Sequence, residues 1–248
     1  MSGLEWAVVV AAVVGLAGGV PVGRWLREVT YRKPDEEDLP LPGTRWWVAP
    51  TLGLVAGVLA WRVLAAPPAR TVDPGAAAGG ATATQWIALL TFLVLALACV
   101  CLAAMDLDVH RLPDRIMWPT MASVAGGLTL AALVGAEWAV VGRFLLAGFV
   151  CGAGYLTLAL LSLARGSLAL GLGDVKLAVV LGVGLGWFGW QTVLAGMYAG
   201  FLVGGLVAIA LLLTRRVGIT GDLAYGPPMM VGALVGALLA PDVLSTVV

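Results

Sequence analysis

The sequence predicts an all-α protein, a polytopic bundle of about eight transmembrane helices, and three observations lead there. Hydrophobic residues fill 61% of the 248 positions and charged residues only 11%. The mean hydropathy of +1.01 leaves too little polar surface for a water-soluble domain. The apolar residues also fall into eight runs, most of them near the roughly 20 residues a helix needs to cross hydrocarbon, separated by short segments rich in charge, Gly or Pro.

The first span covers residues 4–26. A signal peptide would carry its basic residues first, whereas here Glu5 leads and Arg24 and Arg27 follow, which suits a retained helix with its N-terminus outside. The loop at 27–45, REVTYRKPDEEDLPLPGTR, comes next; its REVTYRK portion suits a basic anchor at lipid headgroups, with PDEED solvated beyond. Spans at 46–66 and 86–105 flank a Gly/Ala/Pro/Thr loop at 67–85. The charged stretch MDLDVHRLPD at 105–114 precedes the fourth span, 117–134, and a short turn at 135–143 precedes the fifth, 144–164. RGSLALGLG at 165–173 leads into a sixth span at 175–188, a tight turn near Gly189 into a seventh at 191–213, and TRRVGITGDLA at 214–224 into an eighth at 225–240. The sixth and eighth are short. No composition shift divides the chain, so residues 1–248 are expected to form a single integral membrane domain.

Basic residues orient the bundle, because cytoplasmic loops are enriched in Lys and Arg. With the N-terminus outside, the cytoplasmic ends hold Arg24, Arg27, Arg32, Lys33, Arg45, Arg111, Arg115, Arg165, Lys176, Arg215 and Arg216, against Arg62, Arg70 and Arg143 outside. Eleven against three places both MDLDVHRLPD and GLGDVKL at the cytoplasmic face. Glycines at every fourth position, as in Gly15/Gly19/Gly23 and Gly196/Gly200/Gly204, let helix backbones approach closely and point to bundle packing. Cys99, Cys101 and Cys151 all lie inside apolar runs, where a thiol behaves as a small hydrophobe; they give neither a disulfide framework nor a zinc site. Net charge is zero and no basic arm stands out, so no nucleic-acid partner is expected.

An ionised Asp inside the bilayer costs about 2.5–3.5 kcal/mol on insertion scales, so carboxylates placed there need a reason. Asp106 falls where the third span ends, and Asp108, His110 and Asp114 follow within the segment 106–114. Asp114, just after Pro113, equally suits an N-cap of the fourth helix, and Asp108 a solvated loop charge. A metal site is disfavoured, since catalytic zinc wants two or three N or S donors and the chain has one histidine, while calcium wants a longer oxygen-rich loop. The second candidate segment is 171–176: Gly171 and Gly173 flank Leu172, and Asp174 opens the sixth span. Alone, Asp174 reads as readily as a cap. Glycine on either side, however, lets a peptide backbone approach it, and the charge count puts it at the depth and face of Asp106. Two carboxylates brought close cannot both ionise, and a pair sharing one proton can serve as base and acid toward one water.

DLDVHRLPD resembles the D-x-D-x-x-x-L-P-D signature of type IV prepilin peptidases, and GLGDVKL resembles their G-x-G-D-x-K-L signature. YGPPMMVGAL is similar to their aromatic–Gly–Pro stretch before the last helix, and GRWLREVTYRKP is a divergent version of their N-terminal motif. The resemblance implies an intramembrane aspartic peptidase of the GxGD kind that removes leaders from prepilins or pseudopilins at the cytoplasmic face of the inner membrane, without a cofactor. It carries catalysis to Asp106 and Asp174, and supporting motif positions to Asp108, Asp114, Gly171, Gly173 and Lys176. Many members carry two C-x-x-C pairs in a domain between the first two helices, linked to N-methyltransferase activity. The loop at 27–45 is 19 residues long and has no cysteine, which argues against methylation here.

A different class stays open: a small proton- or cation-coupled transporter, since intramembrane acids mark ion pathways. Against it, the aspartates gather at helix ends on one face, with none at mid-depth to relay an ion. The presenilin-like branch of GxGD proteases expects a Y-D pair and a P-A-L, whereas Asp106 follows Met105 and the last span opens Tyr225-Gly226-Pro227-Pro228.

Overall fold

A computed structural model describes residues 2–36, 38–65, 82–164, 171–214 and 224–244. The segments expected as loops at 67–81, 165–170 and 215–223 lie outside the described residues, and with them Arg70, Arg165, Arg215 and Arg216 of the charge count. Everything regular in the described residues is helical: α1 (Gly3–Arg27), α2 (Val48–Ala65), α3 (Ala83–Val109), α4 (Asp114–Val134), α5 (Trp138–Ala164), α6 (Leu172–Phe188), α7 (Trp190–Leu213) and α8 (Gly226–Leu244), with one 3-10 turn at Pro34–Glu36. Six of them, α1 to α5 and α7, are long and apolar enough to cross a membrane. At 17 residues α6 sits at the lower bound for a span, and the apolar part of α8, Gly226–Leu239, is shorter still. The protein is thus a multi-pass helical membrane bundle.

Tryptophan marks the helix ends. Trp6 and Trp25 bracket α1, Trp61 lies in the last turn of α2, Trp86 and Trp138 lie in the first turns of α3 and α5, and Trp187 and Trp190 flank the turn between α6 and α7. An indole is apolar in body with a polar N–H, so it settles at the headgroup level, and this placement frames the apolar flanks between. Val14, Leu54, Phe149, Leu194 and Leu206 stand exposed on those flanks, as lipid-facing side chains should.

The chain divides into two compact units, Met1–Cys101 with Gly126–Trp138, and Leu102–Ala125 with Ala139–Val248. In the first, α1 and α2 pack through bare backbone. A Cβ at Gly19 would fall 2.4 Å from the Cα of Ala49, and one at Gly15 would fall 2.7 Å from the carbonyl oxygen of Leu52. Gly127 of α4 likewise accepts Thr91 of α3, whose Oγ1 would lie 2.2 Å from a Cβ there. The connection between α1 and α2 folds on itself, Arg32 donating from both terminal nitrogens to the carbonyls of Leu39 and Pro40 at 2.8 Å each. Its REVTYRK portion is therefore partly engaged within the loop.

The second unit repeats the small-residue device twice. Gly182 and Gly186 of α6 face Ala147, Cys151 and Phe144 of α5, and Gly148 and Gly152 face Val183 and Val179 in return. Helices α7 and α8 come closer still: a Cβ at Gly232 would lie 2.1 Å from the backbone nitrogen of Gly200, and one at Gly236 2.4 Å from the Cα of Gly196. The bundle-packing reading of the fourth-position glycines holds for each set described. Gly189, at φ +130°, makes the turn from α6 to α7, a conformation that favours glycine. Arg143 of α5 donates from Nε to the carbonyl of Gly186 at 2.9 Å and from Nη2 to that of Trp187 at 2.7 Å, satisfying carbonyls left open at the end of α6.

Two boundaries move in ways that matter for the site. Helix α3 runs on to Val109 instead of ending at 105, so Asp106 and Asp108 are helical residues and not loop residues. Helix α6 starts at Leu172, three residues early, so Asp174 lies in its first turn. Both extensions carry charge into a helix on the strength of tertiary contacts, which an apolar-run reading cannot weigh.

Candidate active site

Every sequence-predicted site residue falls in the second unit. Asp106 occupies the last turn of α3, where the N–H of His110 closes the helix on the Asp106 carbonyl at 3.0 Å. His110 itself adopts φ +50°, a left-handed residue that stops α3 and sends the chain toward Pro113. This ends the helix just past Asp106 and leaves its carboxylate buried, at 5% exposure, in a protein with few buried charges.

A buried carboxylate must be hydrogen-bonded to be tolerated. The backbone N–H of Gly226, at the start of α8, donates to Asp106 Oδ2 at 3.0 Å. Only glycine allows this approach, because a Cβ on residue 226 would lie 2.8 Å from the same oxygen. Pro227 and Pro228 follow; they lack N–H groups, cost nothing in a first helical turn, and leave the Gly226 N–H as the donor at this end.

Asp174 enters from α6. Its Oδ2 accepts from the backbone N–H of Gly171 at 3.0 Å, half of a capping box, so the capping role that its position suggested is present. The carboxylate is also close enough to Asp106 for the two charges to act on each other. The segments that carry the two aspartates, 68 positions apart in the sequence, meet at Leu112, which packs on Gly173 and near Gly226.

Leu112 sits between the two segments. It is buried, its Cβ would meet a Cβ on Gly173 at 3.2 Å, and its Cδ2 lies 3.7 Å from where one on Gly226 would be. The bare face of Gly173 thus seats Leu112, and Leu112 in turn borders the glycine that holds Asp106. The D-x-D-x-x-x-L-P-D signature contains this leucine, but an apolar residue type gave it no chemical role.

Asp114 is the first residue of α4, with Pro113 before it, and its carboxylate does not cap that helix. Instead Lys176 Nζ donates to Asp114 Oδ1 at 2.5 Å, and the same ammonium lies 5.6 Å from the ring centroid of Trp118. The N-cap reading of Asp114 gives way to an ion pair joining the two motifs. The side chains are 31% and 60% exposed, so the pair is worth roughly 0–1 kcal/mol and serves more as a register pin than as a source of stability. Asp108 is half-buried on α3. Among the described residues no three Asp, Glu, His or Cys side chains converge to hold a metal ion.

Beyond Asp174 lie two tyrosines that the sequence did not flag as chemistry. Tyr155 of α5 and Tyr225, adjacent to Gly226, both feel the Asp174 charge. Their hydroxyls are buried and neither meets hydrogen-bond geometry with any partner.

Part of the chain matches known proteins. Residues 93–211 match the type IV leader peptidase family. The match encloses Asp106, Asp114, Asp174 and Lys176 and stops short of Tyr225 and Gly226. Among curated proteins, the chain is similar to the prepilin leader peptidase/N-methyltransferase of Aeromonas hydrophila, 31% identical over 156 residues, which is 60% of this chain and 49% of that protein. It is also similar to the protein of that name from Pseudomonas putida, 29% identical over 165 residues, 63% of this chain and 52% of the other. The chain spans about half the length of these curated relatives. No solved structure matches it. The leader peptidase match is thus a likeness of the segment that holds both aspartates, and it gives no support to the transporter alternative.

Proposed function

We propose that this chain is an intramembrane aspartic endopeptidase that cleaves the leader peptides of type IV prepilins or pseudopilins, working as a single membrane domain. The observation that carries the reading is the contact of Leu112 with both Gly173, beside Asp174, and Gly226, whose N–H holds Asp106, which joins the two aspartate segments. The leader peptidase match over the same segment supports it. By the charge count the site lies at the cytoplasmic face of the inner membrane, with the N-terminus outside.

In this mechanism one carboxylate is ionised and the other protonated. The ionised one takes a proton from water as the water oxygen adds to the scissile carbonyl carbon, and the protonated one gives its proton to the carbonyl oxygen. Collapse of the tetrahedral intermediate breaks the C–N bond, and the leaving amine takes up a proton from the dyad. Gly226 N–H holds the Asp106 carboxylate in place and Gly171 N–H holds that of Asp174. Lys176 and Asp114 keep the two motifs in register, and Asp108 has a lesser, supporting part.

The relatives' names join peptidase to N-methyltransferase. For this chain we assign the first activity alone, because the 19 residues at 27–45 are too few to enclose a methyl donor without a metal or other staple. The test is reconstituted protein given a prepilin. Parent protein should release the leader, also in the presence of a metal chelator, and leave a free amine whether or not S-adenosylmethionine is added, read by intact mass of the product. Asp106→Asn and Asp174→Asn should each lower cleavage by about 10²–10⁴-fold while inserting normally, with smaller losses for Asp108→Asn and Asp114→Asn. Substantial turnover by Asp174→Asn protein would sink the dyad, and a product heavier by one methyl group would restore the second activity.

A further inference from the structure

Buried hydroxyls without partners are rare in folded proteins, and two of them side by side next to a candidate catalytic carboxylate ask for an explanation. Tyr155 and Tyr225 are such a pair. Their rings are held without any help from the hydroxyls. Tyr155 stacks on Phe201 of α7, with centroids 5.4 Å apart and planes at 21°, and Phe201 meets Tyr225 at 6.1 Å and 47°. Gly204, one turn further along α7, leaves the space that the Tyr225 ring fills: a Cβ there would lie 2.6 Å from its Cε2. Phenylalanine at either position would pack as well, so packing does not account for the two oxygens.

Their surroundings do. The two rings share Phe201, so both hydroxyls belong to one aromatic cluster, and neither meets hydrogen-bond geometry with a partner. The Tyr225 proton is therefore uncommitted, and the charge of Asp174 bears on both tyrosines. Tyr225 also precedes Gly226, whose N–H holds Asp106. One dipeptide at the head of α8 therefore holds Asp106 through the Gly226 N–H and carries a buried, unpartnered hydroxyl beside it in the chain.

We infer that Tyr225 is a catalytic residue, donating its hydroxyl proton in a hydrogen bond to the scissile carbonyl oxygen, and that Tyr155 is a positioning residue that orients it. This rests on the peptidase reading above. A carbonyl oxygen has two lone pairs, so it can take the proton from the protonated aspartate on one and the Tyr225 hydrogen bond on the other. No proton leaves Tyr225. The bond strengthens as negative charge grows on the oxygen, which is where a fixed donor in a dry site lowers the barrier. A substrate carbonyl also supplies the acceptor that the resting site lacks.

The experiment is steady-state cleavage of a prepilin by reconstituted parent, Tyr225→Phe, Tyr155→Phe and Asp174→Asn proteins, each with a thermal unfolding midpoint. Tyr225→Phe should lower kcat by about 10²-fold, the usual loss for one oxyanion donor, with KM within about twofold and the midpoint unchanged or higher. Tyr155→Phe should lower kcat by about tenfold or less, since it acts through Tyr225. A purely structural role predicts the opposite pattern, a lower midpoint and an unchanged kcat. Parental kcat in Tyr225→Phe protein overturns this inference and leaves the dyad standing. Absence of cleavage by the parent overturns both. Should Tyr225→Phe protein fail to fold, 3-fluorotyrosine at 225, which keeps ring and hydroxyl but makes a stronger acid, decides the matter: a changed kcat supports the inference and an unchanged one ends it.

Discussion

The hydrogen bond from Gly226 N–H to Asp106 Oδ2 concentrates the chemistry of the site on a residue without a side chain. Alanine keeps the N–H, yet its Cβ would stand 2.8 Å from the oxygen that N–H binds, and Gly226 is buried, so the methyl has nowhere to go. Asp106 must turn away instead. A displacement on the order of 1 Å in a reacting group costs about 10²-fold in rate, so Gly226→Ala protein should insert and fold but cleave prepilin on the order of 10²-fold more slowly. Gly173→Ala is the milder comparison, because its Cβ would press on the Leu112 side chain at 3.2 Å and a leucine can shift by tenths of an ångström. Steady-state rates of the two variants check this, and equal rates for Gly226→Ala and parent protein would mean that this N–H does not hold the carboxylate. Asp106 and Asp174 were legible in the sequence because charge in an apolar chain demands a reason. Gly226 was visible only as part of a motif, since a backbone donor leaves no mark in residue type, and Asp114 stayed open between a cap and a motif position because its partner Lys176 lies 62 positions away.

At the level of helices, the apolar runs located all eight, and the ends were off where tertiary contact overrides hydropathy. Asp106 and Asp108 continue α3 because Gly226 and the turn at His110 accommodate them, and no count of apolar residues contains that information. Glycine spacing foretold close packing but not its partners: that Gly232 meets Gly200 and Gly236 meets Gly196 follows only from the fold. The pairing makes a sharp contrast within α7 and α8. Valine at Gly232 would put its Cβ 2.1 Å from the Gly200 nitrogen, where backbone faces backbone and cannot yield. Overpacking of this kind costs about 1–3 kcal/mol, so Gly232→Val protein should unfold at a lower temperature and, because α8 carries Gly226, should lose activity as well. Gly205→Ala, with nothing within 4 Å of the new methyl, should be neutral or gain up to about 1 kcal/mol from better helix propensity. Thermal unfolding of both proteins in one detergent is the measurement. A destabilised Gly205→Ala protein would mean that this face of α7 is covered in the membrane.

For the molecule as a whole, the proposed orientation rests on the distribution of basic residues. Of the basic residues assigned to the outer side, Arg143 is occupied at the end of α6, its guanidinium donating to the carbonyls of Gly186 and Trp187. Arg32 and Lys176 on the other side are likewise bonded within the fold, so the count of eleven to three is left to carry the orientation. Two exposed positions report on it: Asp35 in the 3-10 turn between α1 and α2, and Ala136 in the turn between α4 and α5. Cys101 and Cys151 are buried and Cys99 is partly so, which keeps the background low for a membrane-impermeant maleimide. In intact cells Ala136→Cys protein should be labelled and Asp35→Cys protein should not, and in inverted membrane vesicles the pattern should reverse. That pattern would put Asp106 and Asp174 at the cytoplasmic face, where the proposed substrate would be cut from inside the cell. Labelling of Asp35→Cys protein in intact cells would invert the bundle, put Asp106 and Asp174 on the outer face, and require a substrate whose cleavage site has already crossed the membrane.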